Sequence, residues 1–214
     1  MADLGCGRRS LSTRAAAGVV GALVWALAGV GCGTRPAEVA EEAPPLHRAA
    51  ARGELAPLRA AETKALGAGG PHGFTPLHYA AIHGQAAAVD LLLRRGAPLE
   101  ARDEVGMTPL HWAARKGRRE AVSLLLSREA SVQARNRFLM TPLHEASTEA
   151  VAELLLRRGA RLDVQDVDGM TPLHTAPNRM VAHYYIKRGA PIEARARDGR
   201  TPLSMPPAVR PRTR

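Results

Sequence analysis

Histidine is the residue type whose number and spacing in this chain could support chemistry. The 214 residues include eight histidines, and the imidazole ring is a common zinc ligand and general base. Four of them recur at a nearly constant interval: His78, His111, His144 and His174. Zinc holds its ligands at ~2 Å, whereas neighbouring helices pack ~8–10 Å apart. One shared metal is therefore excluded, and we expect each ring to bond the threonine hydroxyl before it and nearby backbone.

Other catalytic patterns are missing from the sequence. His72 and His83 have no third metal ligand at a suitable spacing. The sequence contains no Gly-rich phosphate loop, metalloprotease motif or nucleophile elbow, and Ser123 and Ser127 have no base beside them on their expected helix. We therefore predict that the protein is not an enzyme and carries no cofactor and no metal.

The recurring histidines belong to an internal repeat. Thr-Pro-Leu-His begins at residues 75, 108, 141 and 171, and an altered copy, Thr-Pro-Leu-Ser, begins at residue 201. The spacings of 33, 33, 30 and 30 residues indicate a solenoid in which each repeat is one supersecondary unit. Such a stack commonly presents a binding surface rather than a catalytic pocket.

Each repeat has the signals of two short helices. In the unit from Thr108 to Met140, the threonine can cap a helix whose first position is proline. Gly117 interrupts the pattern, and a Leu-rich second helix begins near Arg119. The second helix ends in Gly-Ala in three sister copies, and Asp-Gly connectors indicate turns.

These strings resemble the ankyrin repeat family. The resemblance rests on residues 75–84 (TPLHYAAIHG), 91–97 (LLLRRGA) and 103–114 (DEVGMTPLHWAA), and it extends over residues 44–203. It implies an all-α solenoid of helix–turn–helix units joined by β-hairpin loops. Members of the family mostly bind other proteins with the hairpin tips and the exposed face of the first helix.

The domain organisation follows from the repeat. We predict a signal segment at 1–32, a flexible tether at 33–43, repeats at 44–74, 75–107, 108–140, 141–170 and 171–200 with a short stub, and a basic disordered tail at 204–214. The first unit resembles a divergent capping repeat. The units at 141 and 171 lack three residues between their two helices, and Pro177 should end its helix early. We therefore expect the central repeats to be well packed and the apolar residues at the C-terminal end of the stack to be poorly covered.

The resemblance also supplies a set of candidate contact residues. Phe138 is the best single candidate, because aromatic and methionine side chains favour interfaces. Residues directly before each threonine could instead pack under their own loop, and Tyr79 and Trp112 are expected to pack between repeats. The candidate protein-binding residues are Pro71, His72, Phe74, Ile82, His83, Glu104, Val105, Met107, Arg115, Lys116, Arg137, Phe138, Met140, Val167, Asp168 and Met170.

The chain is strongly basic. It has 30 Lys and Arg against 20 Asp and Glu, a formal net charge of +10, and only three of the cations are lysine. An arginine excess is typical of GC-rich coding sequence, but it is also compatible with an anionic partner such as nucleic acid, a phospholipid or lipopolysaccharide. Both interpretations stay open at this point.

The N-terminus is typical of an export signal. Arg8, Arg9 and Arg14 precede an uncharged run at 15–31, and Cys32 follows it directly. This order resembles a bacterial lipoprotein signal, which implies that Cys32 is lipidated, although Gly29 stands where leucine is usual. Two alternatives are an uncleaved anchor, for which the run is short, and a twin-arginine signal, which the sequence matches only in part.

Together these patterns predict a monomeric protein-binding module, exported to the bacterial cell envelope and held on a membrane facing the periplasm or the outside. The partner is a protein that the sequence does not identify, and nucleic acid is not expected after export. The alternatives are an envelope protein that binds anionic lipid or lipopolysaccharide, and an intracellular scaffold if residues 1–32 are not a functional signal.

Overall fold

The computed structural model describes residues 43–204. The predicted signal segment, Cys32, nearly all of the tether and residues 205–214 of the tail lie outside these described residues. Within residues 43–204, no helix is long and apolar enough to cross a bilayer.

The described chain is a succession of short helices. The α-helices of residues 43–204 are α1 Pro45–Arg52, α2 Leu55–Ala60, α3 Thr63–Leu66, α4 Pro76–His83, α5 Ala86–Arg94, α6 Pro109–Arg115, α7 Arg119–Ser127, α8 Glu149–Arg157 and α9 Arg179–Lys187. Single turns of 3₁₀-helix lie at Pro71–Gly73 and Pro202–Ser204. The predicted all-α repeat architecture is confirmed.

The helices stack in two rows. The inner row is α1, α4 and α6, and the outer row is α2, α5, α7, α8 and α9, each packed on its neighbours in the row. The core between the rows is made of leucine and alanine, with Leu77, Leu110 and Leu143 at the same repeat position and fully buried. Small alanines let the inner helices approach closely, which explains how a chain with few aromatic residues fills its core.

The first repeat keeps this plan with altered residues. Pro44 stands at the threonine position, and α1 ends at Gly53 in the left-handed conformation. His47 Nε2 lies 3.0 Å from the Phe74 carbonyl oxygen, but its buried Nδ1 has no hydrogen-bond partner in the described chain, because Pro44 has no hydroxyl to offer. The interpretation of a divergent first repeat agrees with this geometry.

The two shortened repeats differ from the helix–turn–helix expectation. Their first helix is reduced to a hydrogen-bonded turn after Thr141 and Thr171, and the chain then enters the second helix directly. Side chains compensate at the junction: Thr148 caps α8, with Oγ1 3.3 Å from the Val151 nitrogen, and Asn178 caps α9 at 2.9 Å. The longer repeats have no such cap on α5 or α7. The inner row therefore ends at α6.

The connecting loops are tight turns rather than strands. In one of them, Asp103 Oδ1 accepts hydrogen bonds from the N–H groups of Val105 and Met107 at 3.0 and 2.8 Å. Asn136 and Asp166 do the same in the next two loops. Each loop is closed like a hairpin, but no residue from 43 to 204 is assigned to a strand.

One loop carries a strained residue. Leu139 has φ of 58°, where the equivalent residues of other loops are Gly106, Gly169 and Gly199 with φ of 77°, 75° and 82°. The left-handed conformation costs an L-residue ~1–2 kcal/mol, and Leu139 is 42% exposed. We expect Leu139→Gly to raise the free energy of unfolding by ~0.5–1 kcal/mol, after the entropy cost of glycine, in denaturant titrations. Leu139→Ala is the matched control, because it keeps the strain. An equal gain in both variants would contradict this explanation.

Candidate functional site

The repeating histidines connect neighbouring repeats. His111 Nδ1 lies 3.2 Å from the Thr108 backbone nitrogen and 2.9 Å from its hydroxyl, and Nε2 lies 3.1 Å from the Met140 carbonyl oxygen of the loop before the next repeat. Because the Thr108 N–H can only donate, Nδ1 accepts and the ring proton is on Nε2, which donates to Met140. The same contacts occur at His78, His144 and His174. The predicted structural role of these histidines is confirmed.

Burial keeps these rings neutral. Desolvation lowers the pKa of His78, His111 and His144 to about 4, although hydrogen bonds to backbone act in the opposite direction. His174, in the last repeat, is less buried, and its pKa is lowered for the same reason. A ring whose two nitrogens are both engaged has no lone pair for a metal, so this row of histidines is a structural element.

The loop tips are linked by a second row of hydrogen bonds, which we call the tip ladder. In each pair, a backbone N–H of one tip donates to a carbonyl oxygen of the tip before it. The pairs are Glu104 to His72 at 3.0 Å, Arg137 to Val105 at 3.0 Å, Val167 to Phe138 at 3.0 Å and Arg197 to Asp168 at 2.8 Å. The ladder fixes the tips relative to one another and makes them a continuous edge.

Aromatic rings gather where the first tips meet the inner helices. The Phe74 ring lies 5.7 Å from Tyr79, 5.7 Å from His78 and 5.3 Å from Trp112. Tyr79 and His78 are buried, whereas Phe74 and Trp112 are partly exposed. The Trp112 indole Nε1 donates to Asp103 Oδ2 at 2.8 Å, which fixes the ring at the surface.

An arginine completes this group. The Arg115 guanidinium lies 5.4 Å from the centre of the Trp112 ring, and its Nε lies 3.8 Å from Glu145 Oε2 of the next repeat. Both side chains of this ion pair are mostly shielded from solvent. We define Phe74, Trp112, Arg115 and Glu145 as the groove cluster. It combines apolar rings with an arginine that is fixed by an ion pair to Glu145. This is the composition of an interaction surface rather than of a reaction centre.

Cations lie next to the groove cluster, where the inner helices end. Arg118 Nε donates to the Ile82 carbonyl oxygen at 3.0 Å. The pKa of His83 is lowered mainly by burial, and the charges of Arg118 and Lys116 lower it further. This side of the groove is therefore positive.

Several arginines have structural partners instead of facing solvent freely. Arg95 donates to the carbonyl oxygens of Leu58 at 3.2 Å and Ala61 at 2.8 Å, in the preceding repeat. Arg158 donates to the Leu126 carbonyl in the same way, and Arg128 pairs with Asp90 at 2.7 Å. Cations at these outer helix ends therefore satisfy backbone carbonyls, which accounts for part of the arginine excess.

The expected exposure of the candidate residues holds for most and fails for two. Met107 is fully buried and Met140 nearly so, because each lies under its loop with its carbonyl bonded to a histidine. Their side chains therefore do not reach the surface. The candidates that are exposed or partly exposed are Pro71, His72, Phe74, Ile82, His83, Glu104, Val105, Arg115, Lys116, Arg137, Phe138, Val167, Asp168 and Met170. Their role in binding stays a prediction.

Two members of the groove cluster were not among the sequence-based candidates. Trp112 was expected to pack between repeats, and it does so only in part. Glu145 follows the third motif histidine, and no pattern within its own repeat indicates the contact, because its partner Arg115 is 30 positions earlier in the chain. A tryptophan three residues before an arginine on one helix is a usable signal for this cluster.

The comparison with protein families agrees with this architecture. The family model described as ankyrin repeats (3 copies) matches residues 14–103, 46–136 and 98–166, which together cover more than half of the chain. The chain belongs to the ankyrin-repeat family. No curated protein matches it.

As an ankyrin-repeat protein, the chain is a protein–protein interaction module. Ankyrin repeats are typically non-enzymatic. The first match begins at residue 14, so it also includes part of the segment that the sequence predicts to be an export signal.

Proposed function

We propose that this ankyrin-repeat protein binds its partner with the inner face of residues 44–140, centred on the groove cluster, and acts at the cell envelope. The observation that carries the proposal is the contact of Phe74 with Trp112. Their ring centres lie 5.3 Å apart and both rings are partly exposed. Aromatic residues make up only 3% of the chain, so a pair at the surface is unlike the rest of the molecule.

The groove cluster has the properties of a binding hot spot. Such sites are enriched in tryptophan, tyrosine and arginine and are already ordered before the partner arrives. Trp112 is held by Asp103 and Arg115 by Glu145, so little side-chain entropy is lost on binding. The tip ladder adds a rigid edge, on which Phe138 is the candidate outer contact.

The anionic-surface alternative is less well supported. Arg95, Arg118 and Arg158 are engaged with backbone carbonyl oxygens, and Arg115 and Arg128 are paired with carboxylates. The carboxylates offset the charge of Arg115 and Arg128, and the guanidinium donors bound to carbonyl oxygens are not available to lipid phosphates. Salt dependence separates the two models, because exposed charges are screened within ~8 Å at physiological ionic strength.

The test is capture of partners from an envelope extract with the full-length chain. We expect a saturable protein partner whose affinity falls about tenfold or more with Trp112→Ala or Arg115→Ala. Met180→Ala is the control, because Met180 is exposed on an outer helix. Thermal unfolding of each variant shows whether the fold is intact. Binding that collapses with salt and ignores Trp112→Ala and Phe138→Ala would instead support the anionic-surface model.

The same preparation addresses location. The support for export is the sequence of residues 1–32, with its arginines, apolar run and Cys32. Intact mass of the protein from its native membranes should correspond to a chain that starts at Cys32 and carries acyl groups. An unmodified full-length chain in the soluble fraction would contradict the proposed location at the envelope and favour an intracellular scaffold.

A further inference from the structure

The C-terminal end of the stack is an open apolar surface. The leucine of Thr-Pro-Leu is 0%, 1%, 0% and 4% exposed at residues 77, 110, 143 and 173, but Leu203 is 68% exposed. In each earlier repeat, further chain packs over this leucine. After Leu203, the described chain provides no helix to do so.

Two more positions show the same change. Ile186 of α9 corresponds to Leu93, Leu126 and Leu156 of the earlier outer helices. Leu126 is 4% exposed and the other two are partly buried, whereas Ile186 is 39% exposed. Ile192 corresponds to Val132 and Leu162, which are partly buried, and is itself 39% exposed. We define Ile186, Ile192 and Leu203 as the end face. Within the stack, these positions are where one repeat covers the one before it.

The tip ladder is also open at this end. The carbonyls of His72, Val105, Phe138 and Asp168 each accept an N–H from the following tip. Asp198 is the next residue in this series, and its carbonyl receives no such bond from the described residues. At the other end, the donor position is Pro71, which has no N–H.

The unequal ends of the ladder and the charge of this end argue against two possible occupants. These are a second copy of the chain and the chain's own C-terminal tail. A second copy stacked head to tail would present Pro71 to Asp198 and could not extend the ladder. A second copy stacked end face to end face would bring like charges together, because residues 171–204 contain six Arg and Lys and only two Asp and Glu. Residues 205–214 of the same chain are also basic, with arginines at 210, 212 and 214.

We propose that the end face is a second docking surface, separate from the groove cluster, for an acidic protein segment with aliphatic side chains. The aliphatic side chains would cover Ile186, Ile192 and Leu203, and a backbone N–H would donate to the Asp198 carbonyl. The acidic residues would meet the excess of arginine and lysine in residues 171–204. The partner thus supplies a covering unit that residues 43–204 do not provide. Charge complementarity selects an acidic segment over a basic or neutral one.

The test uses the full-length chain and a labelled synthetic amphipathic helix built of leucine and glutamate. We expect saturable binding in fluorescence anisotropy. The double variant Ile186→Asn with Ile192→Asn should weaken it about tenfold or more, since the apolar contact is lost. Met180→Asn is the matched control, because Met180 is 69% exposed on the same helix but aligns with Ala87 and Glu120, which are exposed within the stack. Trp112→Ala should not affect this binding.

Each other outcome overturns the proposal. Equal binding of a leucine–lysine helix, or no binding of the leucine–glutamate helix, would show that the partner is not an acidic segment. Dimers in sedimentation that Ile186→Asn with Ile192→Asn dissociates would identify a second copy. Binding that appears only after truncation behind Ser204 would identify the chain's own tail. Binding to phosphatidylglycerol vesicles alone, sensitive to the same variant, would identify a membrane surface.

Discussion

Replacing His111 with alanine is expected to lower the free energy of unfolding by about 3 kcal/mol, a large part of the 5–15 kcal/mol typical of a domain. The imidazole is completely buried and connects Thr108 of one repeat to the Met140 carbonyl of the next. Removing it breaks these bonds, leaves the buried Thr108 N–H without its acceptor, and opens a cavity. The Met140 carbonyl keeps the Asn136 N–H at 3.0 Å, and the Thr108 hydroxyl keeps the backbone N–H of position 111. Chemical denaturation monitored by circular dichroism measures the loss.

The repeat supplies internal controls for this experiment. His174 makes the equivalent bonds to Thr171 and the Arg200 carbonyl but is partly exposed. Water can replace those bonds, so His174→Ala should cost clearly less than His111→Ala. The exposed His183 lies outside the motif, and its replacement should change stability by less than about 0.5 kcal/mol. A cost at His111 no larger than at His183 would show that these bonds do not hold the repeats together.

Lowering the pH from 7 to 5 is expected to destabilise the fold by several kcal/mol. Burial lowers the pKa of His78, His111 and His144 from 6.5 to about 4. Below pH 6.5 the unfolded chain takes up protons at these rings while the folded chain does not, so stability falls as the pH drops from 6.5 towards 4. Each histidine can contribute up to about 1.4 kcal/mol per pH unit. Protonation of Nδ1 would also replace the hydrogen bond from the threonine backbone N–H with a repulsive contact between two N–H groups.

The slope of unfolding free energy against pH measures this linkage. It should correspond to uptake on unfolding of about one and a half protons at pH 6.5, rising to between two and three near pH 5, with smaller contributions from His47 and His174. His111→Gln should reduce the slope by about one proton. Burial raises the pKa of Asp103 and Asp166, which acts in the opposite sense, but only as carboxylates begin to protonate. A flat profile from pH 7 to 5 would contradict the neutral buried histidines.

Residues close together in the sequence were the predictable part of this structure. Threonine, proline and histidine within four positions form a helix start whose contacts are mostly local, so the helices α4 and α6 and the bonds between Thr108 and His111 follow from the sequence. The Asp-Gly connectors likewise indicated turns, and their closure by the Asp103 carboxylate spans only four residues. Local geometry of this kind depends little on the rest of the fold.

The shortened repeats were harder to predict. The sequence placed the loss of three residues between the two helices, which predicted that both helices remain. The structure shows that the first helix is lost, because the helices α8 and α9 must still reach the leucine core. Thr148 and Asn178 then cap them. Packing of the outer helices thus determined how much of the first helix remained.

The sequence by itself determined the repeat period, the helix starts, the turns and the membership of the ankyrin-repeat family, since each depends on residues within one unit. Only the tertiary structure decided which side chains face outward. It buried Met107 and Met140 under their loops, brought Arg115 to Glu145 to complete the groove cluster, and left Ile186 and Leu203 uncovered at the C-terminal end. Burial depends on what lies in the neighbouring repeat, about 30 residues away in the sequence, and a pattern within one repeat does not contain that information.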